Sequence, residues 1–464
     1  MNRRRHDSAA QGLHLLPLTF AGLATLALVT SLASRVDAAG PLVTQGEAAR
    51  HGLERAWYAQ IPLDPARSRV SSWFLYFDRL YGVTDSGIAT ALDAETGAQL
   101  WSRQIGKPGA PSFGPSANEK YLGIVSGVKL YLLDRHDGRI VWSRVLGSAP
   151  SSGPALSMGY AYVALITGRI EGYQLDDPAT QPWYYQSKGR TFLRPTVTGR
   201  VVSWPTSAGY LYVSRAEKPG VLFRLQTKDD IVTSPAQQEP YIYIASLDGY
   251  LYCMHELTGD ELWRYSTGYS IHSSPAIVGE TAYVASFEPA LHAVDAATGK
   301  ERWTATGASH FAALGKERVY ASDSYGTLLV LDGKTGNRLG RLNVAEGLST
   351  LVNDQSDRLF LVNDRGLAQC LREIGADKPT MYRRPLAPPA EGAGAATPTD
   401  AELNPFEPAD EAAAPADAEG EEPPFVEEPA AEPAAEPDAD AAEEPAMDEP
   451  VPPFDDDDNL FDNQ

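Results

Sequence analysis

One pattern returns at near-constant spacing through most of the chain. A single position, usually aromatic, is filled in turn by Tyr81, Gly123, Tyr162, Ser203, Tyr243, Tyr283, Tyr320 and Phe360, at intervals of 42, 39, 41, 40, 40, 37 and 40 residues. Six residues after it stands Gly87, Gly168, Gly209, Gly249, Gly326 or Gly366, with Lys129 and Pro289 in the other two copies. Eight copies with a period near 40 mean an array in which each unit buries its apolar surface against its neighbours.

Each copy resolves into four short β-strands. Residues 275–278, 281–286, 291–295 and 301–305 are rich in β-formers and separated by turn residues. A helical array would need apolar residues every three to four positions. Here Tyr241-Ile242-Tyr243-Ile244 and Thr281-Ala282-Tyr283-Val284 are instead consecutive β-formers. The pairs Thr96-Gly97, Thr258-Gly259, Thr298-Gly299 and Thr335-Gly336 suit tight hairpins, and the upstream Asp93, Asp295 and Asp332 can accept from the turn amides. The same Asp-x-x-Thr-Gly spacing read as a metal loop is the weaker account, and no metal is expected.

Four positions after the turn glycine comes Trp101, Trp142, Trp263 or Trp303, with Trp183 and Phe223 in less regular copies. A large ring on an outer strand can wedge between neighbouring sheets. The eighth copy lacks this closing strand, and Gly340 departs from the pattern in the seventh. The missing element stands at the other end of the chain, where Trp57 precedes Trp101 by 44 residues. The predicted fold is therefore all-β: an eight-bladed β-propeller of four-stranded blades, closed by the N-terminal strand and followed by a disordered acidic tail. Ring closure removes the open sheet edges.

This repeat, Asp-x-x-Thr-Gly-x-x-x-Trp after a glycine hairpin, resembles the pyrroloquinoline-quinone (PQQ)-like propeller repeat over about residues 55–376. Two groups share it: quinoprotein alcohol dehydrogenases, and the BamB-type propeller of the outer-membrane barrel-assembly machinery. The dehydrogenase branch implies an adjacent-cysteine disulfide beside the quinone. Cys253 and Cys370 lie in different copies, and the sequence has no Cys-x-x-Cys-His haem site. No cofactor is expected. The assembly-factor branch implies an exported, non-catalytic propeller that binds protein. Members of that type are usually lipoproteins, and this chain has no cysteine at the end of its N-terminal apolar run.

The flanks differ from the body. Residues 1–38 read as an export signal: Arg3-Arg4-Arg5, an uncharged run over 15–33, and small residues in Val36-Asp37-Ala38. An uncleaved anchor, giving membrane association, is the alternative. Residues 39–54 are expected to be a linker, 55–376 the propeller, and 377–464 a disordered Pro/Ala/Glu/Asp-rich tail. Of the 61 acidic residues, 25 fall within 385–464, where there is no Lys or Arg, leaving 36 acids against 39 bases elsewhere. That tail cannot bury enough apolar surface to offset its ordering entropy. The near-neutral body has no basic run, which argues against nucleic acid. Two cysteines are too few for a disulfide framework. They read as one bridge or, the blander account, as two buried small hydrophobes.

In a propeller, the segments leading into the innermost strands share one face with the hairpins between second and third strands. Asp248, Tyr250, His272, His310, Asp323, Tyr325 and Asp364 fall there and form the candidate partner-binding face. An aromatic and acidic rim suits a protein or peptide. The expected function is a non-catalytic, monomeric, protein-binding scaffold of the cell envelope or periplasm, with unidentified envelope proteins as partners. A quinoprotein dehydrogenase and a carbohydrate-binding or sensor propeller are the alternatives.

Overall fold

The computed structural model describes residues 42–197, 200–345 and 347–384. The export-signal reading of 1–38 and the acidic stretch 385–464 lie outside these residues. Among the described residues, eight four-stranded antiparallel sheets form an all-β, eight-bladed propeller. Seven blades take four consecutive strands each. Blade one runs from Val70–Tyr76 to Gln99–Gln104, blade two from Ser112–Ala117 to Ile140–Val145, and blade three from Ala155–Leu156 to Trp183–Gln186. Blade four runs from Thr196–Val197 to Val221–Gln226, blade five from Ala236–Gln238 to Glu261–Ser266, blade six from Ala276–Val278 to Glu301–Thr306, and blade seven from His310–Leu314 to Arg338–Leu342. Blade eight holds Ser349–Leu351, Leu359–Val362 and Leu367–Glu373, and its outer strand is the N-terminal Leu53–Gln60. In that closing pair Trp57 stands opposite Cys370.

The burial of each strand follows from its place. The second strands Tyr121–Ser126 and Thr281–Ser286 are buried along their whole length, because neighbouring blades cover both faces. The outer strand Glu261–Ser266 alternates exposed and half-buried residues, the period-two pattern of a surface strand. The core therefore sits in layers between blades. Tyr243, Cys253, Ile277, Val284 and Val294 fill the layer between blades five and six, each large side chain contributing about 1.5–3 kcal/mol by its burial. Cys253 and Cys370 are buried free thiols. Burial pushes the Cys253 thiol up to about 12.

The repeat motif docks each blade on the next. Indole Nε1 of Trp57, Trp101, Trp142, Trp263 and Trp303 donates to the carbonyls of Ala94, Arg135, Leu175, Ala296 and Gly333 at 2.9, 3.0, 2.9, 3.2 and 3.0 Å. Each acceptor follows the last residue of a neighbouring blade's third strand. The rings of Trp57, Trp101, Trp263 and Trp303 also lie over a turn glycine: a Cβ at Gly97 would stand 2.5 Å from Trp57, and one at Gly299 would stand 2.6 Å from Trp263. Phe223 covers Gly259 in the same way, without an N–H to donate. The turn itself is held by its aspartate. Asp295 accepts from the Thr298 amide at 2.9 Å and hydroxyl at 2.8 Å. Arg302, then Thr298, hold the Asp295 carboxyl down at about 2.

Two seams use other residues. Trp183 packs edge-on against Trp204, a fully buried ring stacked on Tyr212. At Gly340, where blade seven lacks its indole, the space above the backbone is filled by His51, whose Nδ1 would lie 2.7 Å from a Cβ there. His51 caps a six-residue helix, Gln45–Arg50, started by Thr44 Oγ1 accepting the Glu47 amide at 3.2 Å. Val43 and Ala48 join the core of blades seven and eight. A helix this short is held by packing rather than propensity.

Packed chain also continues past residue 376. The Tyr382 hydroxyl donates to Leu314 and Gly315 carbonyls at 3.0 and 3.1 Å, and Arg383 donates to the Gln237 carbonyl at 2.7 Å. Asp354 pairs with Arg383 at 2.9 Å. Its neighbour Gln355 donates to the Leu75 carbonyl of blade one at 3.1 Å. The strap 380–384 and the loop around Gln355 thus join blades one, five, seven and eight.

Candidate functional site

The candidate face is a rigid backbone surface. Each lead-in segment bonds to a hairpin beside it: Leu247 N to Asp230 O at 3.0 Å, Thr267 N to Gly249 O at 2.9 Å, Phe287 N to Ser270 O at 2.8 Å and Ser309 N to Ser322 O at 2.8 Å. Short hairpins need residues that fill turn amides, and several acidic side chains expected at the site do this. Asp248 accepts from the Tyr250 amide at 3.0 Å and the Tyr252 hydroxyl at 2.7 Å. Burial, then the Asp248 hydrogen bond, raises the Tyr252 pKa. Asp323 accepts from the Tyr325 and Thr327 amides at 2.9 and 2.8 Å and pairs with Arg341 at 2.8 Å. Burial opposes ionisation of Asp323, yet those amides and Arg341 outweigh it and lower its pKa. Asp364 lends its carbonyl to Val70 N at 2.6 Å, and its carboxylate stands 3.4 Å from Arg69.

The two histidines are exposed but separately engaged. His272 bonds Ser270 Oγ at 3.0 Å and packs on Phe287, ring centroids 5.2 Å apart. His310 opens the first strand of blade seven, opposite Ser322. Among the described residues, no three His, Cys, Asp or Glu side chains converge as a metal site. Tyr250 packs beside Tyr252 and under the Arg264 guanidinium, 5.5 Å away. Tyr325 projects almost entirely into solvent, 93% exposed.

Other side chains give this face its character. Phe192, Val232, Tyr269 and Phe287 are exposed on the lead-ins and hairpins of blades four to six, Phe287 at 72%. With Tyr325, these exposed apolar and aromatic residues come from the lead-ins and hairpins of four consecutive blades. The sequence signal for Phe287 was the departure already visible at Pro289, where Phe-Glu-Pro replaces the usual glycine hairpin. Phe192, Val232 and Tyr269 sit in lead-ins with no repeat signature. Beside Phe287, Tyr269, Ser286, Glu288, His292 and Thr306 line a pocket of about 410 Å³. His292, one of the lining residues, is buried. Its Nδ1 meets Tyr265 Oη at 3.0 Å and Thr304 Oγ1 at 3.1 Å, and Tyr265 also donates to Glu301. Burial lowers the His292 pKa, with Glu301 opposing.

The comparisons agree with this architecture. The family model described as outer membrane protein assembly factor BamB matches residues 84–221 and 215–370. Among solved structures, BamB from Moraxella catarrhalis is 18% identical with a TM-score of 0.56, covering 69% of this chain and 97% of that chain. The computationally designed Ika8 protein is 14% identical with a TM-score of 0.53, over 66% of this chain and 96% of its own. The C-terminal WD40 domain of Sif2 is 10% identical with a TM-score of 0.54, over 69% and 98%. At these identities the likeness is one of fold. No curated protein is similar enough in sequence to count as a relative.

Proposed function

The chain belongs to the family of outer membrane protein assembly factor BamB, and from that membership we propose that it is a non-catalytic scaffold that binds protein in the cell envelope. The observation that carries this reading is the exposure of Phe192, Val232, Tyr269, Phe287 and Tyr325 on the lead-ins and second-to-third-strand hairpins of blades four to seven. Exposed rings on a rigid surface, rimmed by polar groups, suit a protein partner, because aromatic side chains lose little entropy and bury much area. The carboxylates of Asp248 and Asp323 are committed to their own hairpins, which leaves shape and apolar contact to recognise the partner. The family description points to proteins of outer-membrane assembly as that partner class.

Site-specific photo-crosslinking in cells tests the proposal. A crosslinker at Phe287 should trap a defined envelope protein, while one at Tyr58, on the outer strand of blade eight, should not. Equal trapping at both positions, or none at Phe287, counts against it.

A further inference from the structure

One wall of the pocket beside Phe287 offers lone pairs without a hydrogen to fill them. The bonds around His292 assign the ring's tautomer. Tyr265 donates its hydroxyl hydrogen to the Glu301 carboxylate, which leaves Tyr265 Oη an acceptor. His292 Nδ1 lies 3.0 Å from that oxygen, so Nδ1 carries the ring hydrogen and Nε2 the lone pair. On the other edge of the ring, Nε2 faces Ser286 Oγ at 3.4 Å. That hydroxyl has one hydrogen, and it goes to the Glu288 carbonyl at 2.6 Å. Two acceptors therefore face each other with no hydrogen between them.

Ser286 lines the pocket, whereas Tyr265 and Thr304 do not, so the ring turns its Nε2 edge toward the cavity. His292 is only 6% exposed, and an acceptor buried to that degree calls for a donor. The rest of the lining says which kind. No Lys or Arg lines the pocket, and Glu288 sets an exposed carboxylate at its rim. Unlike those of Asp248 and Asp323, the Glu288 carboxylate has no hydrogen-bond or ion-pair partner among the described residues. Tyr269 and Pro289 add apolar surface, and a tyrosine ring face attracts a cation. The volume, about 410 Å³, lies at the small end of ligand pockets. Lysine and arginine match this lining, each an apolar stem that ends in a charged donor. We propose that the pocket takes one basic side chain of the protein partner, its ammonium or guanidinium on His292 Nε2, Ser286 Oγ and the Glu288 carboxylate, and its stem against Tyr269 and Pro289. The source of that side chain rests on the reading of this face as the partner surface.

The test titrates the full chain with N-acetyl-lysinamide and N-acetyl-argininamide. The controls are N-acetyl-norleucinamide, a stem without a charged head, and N-acetyl-glutaminamide, an uncharged donor. Histidine side-chain NMR reads the His292 Nε2 resonance, identified by its loss in His292→Gln. A saturable shift with either cationic probe, about tenfold tighter than with the controls and about fivefold weaker in Glu288→Gln, supports the site. Glu288 is exposed, so this variant keeps the fold. Glu288→Lys, which sets a competing ammonium at the rim, should abolish the shift. No saturable shift, equal binding of a control, or unchanged affinity in Glu288→Gln overturns the proposal. The probes act without any partner, so their failure alongside a defined crosslink at Phe287 removes the pocket assignment alone. Binding of the cationic probes with no crosslink at Phe287 assigns the pocket to free amines and overturns a protein source.

Discussion

The Trp57 indole donates to the Ala94 carbonyl at 2.9 Å, joining the outer strand of blade eight to blade one. The bond lies at the point where the chain's N-terminal strand closes the ring. The same indole covers the Gly97 turn and touches Phe360, ring centroids 6.1 Å apart. One side chain therefore links three parts of the closure: strand, turn and core.

Trp57→Ala should destabilise the propeller by about 3–5 kcal/mol, the cost of emptying a large buried site. Trp57→Phe keeps much of the packing and removes the hydrogen bond, so it should cost less, about 1–2 kcal/mol. Urea denaturation followed by far-UV circular dichroism measures both. Equal losses in the two variants would show that packing is not the main contribution.

Gly97 and Gly268 separate backbone strain from contact. Both have positive φ, +71° and +80°, but a Cβ at Gly268 meets nothing within 4 Å whereas one at Gly97 runs into Trp57. Gly268→Ala should cost about 1–2 kcal/mol for the left-handed conformation alone. Gly97→Ala should cost about 3 kcal/mol or more, because the indole must also move. Thermal unfolding of the pair gives the difference directly.

His292 should make stability depend on pH. Its folded pKa lies below the ordinary 6.5 because burial disfavours the charged ring. The unfolded chain therefore binds the proton first as pH falls through about 6.5, and stability drops on the acid side. Between pH 7.5 and 5.5 the wild-type urea midpoint should fall more than that of His292→Gln, whose side chain can still bond Tyr265. Parallel curves for the two proteins would rule out this histidine as the source.

Phe287→Asp combined with Tyr325→Ala should leave stability within about 0.5 kcal/mol of wild type, as both side chains are exposed. Partner capture should fall at least tenfold in quantitative co-purification. Retained capture would move the interface elsewhere on the molecule.

Much of this architecture was legible because the repeat is a local code. A period near 40, the Thr-Gly turns and the Trp57 to Trp101 interval each follow from residues close in sequence, and each unit repeats the same packing problem. The seams that break the code were not legible. Nothing near Gly340 indicates that His51 covers it, from nearly 300 residues away. The linker expected over 39–54 holds a helix, and the strap at Tyr382 and Arg383 extends beyond the expected boundary at 376.

The face divides the same way. The order of strands placed Asp248, His272 and Asp323 on one side of the ring, since loop position follows from topology. Only the tertiary structure decided that Asp248 and Asp323 are occupied by their own turns, that Phe287 and Tyr325 are exposed, and that Arg194 of the blade-four lead-in reaches Phe74 of blade one. A repeat determines which neighbours each strand has. Ring closure determines which side chains face one another across a gap, and that depends on residues the repeat does not constrain.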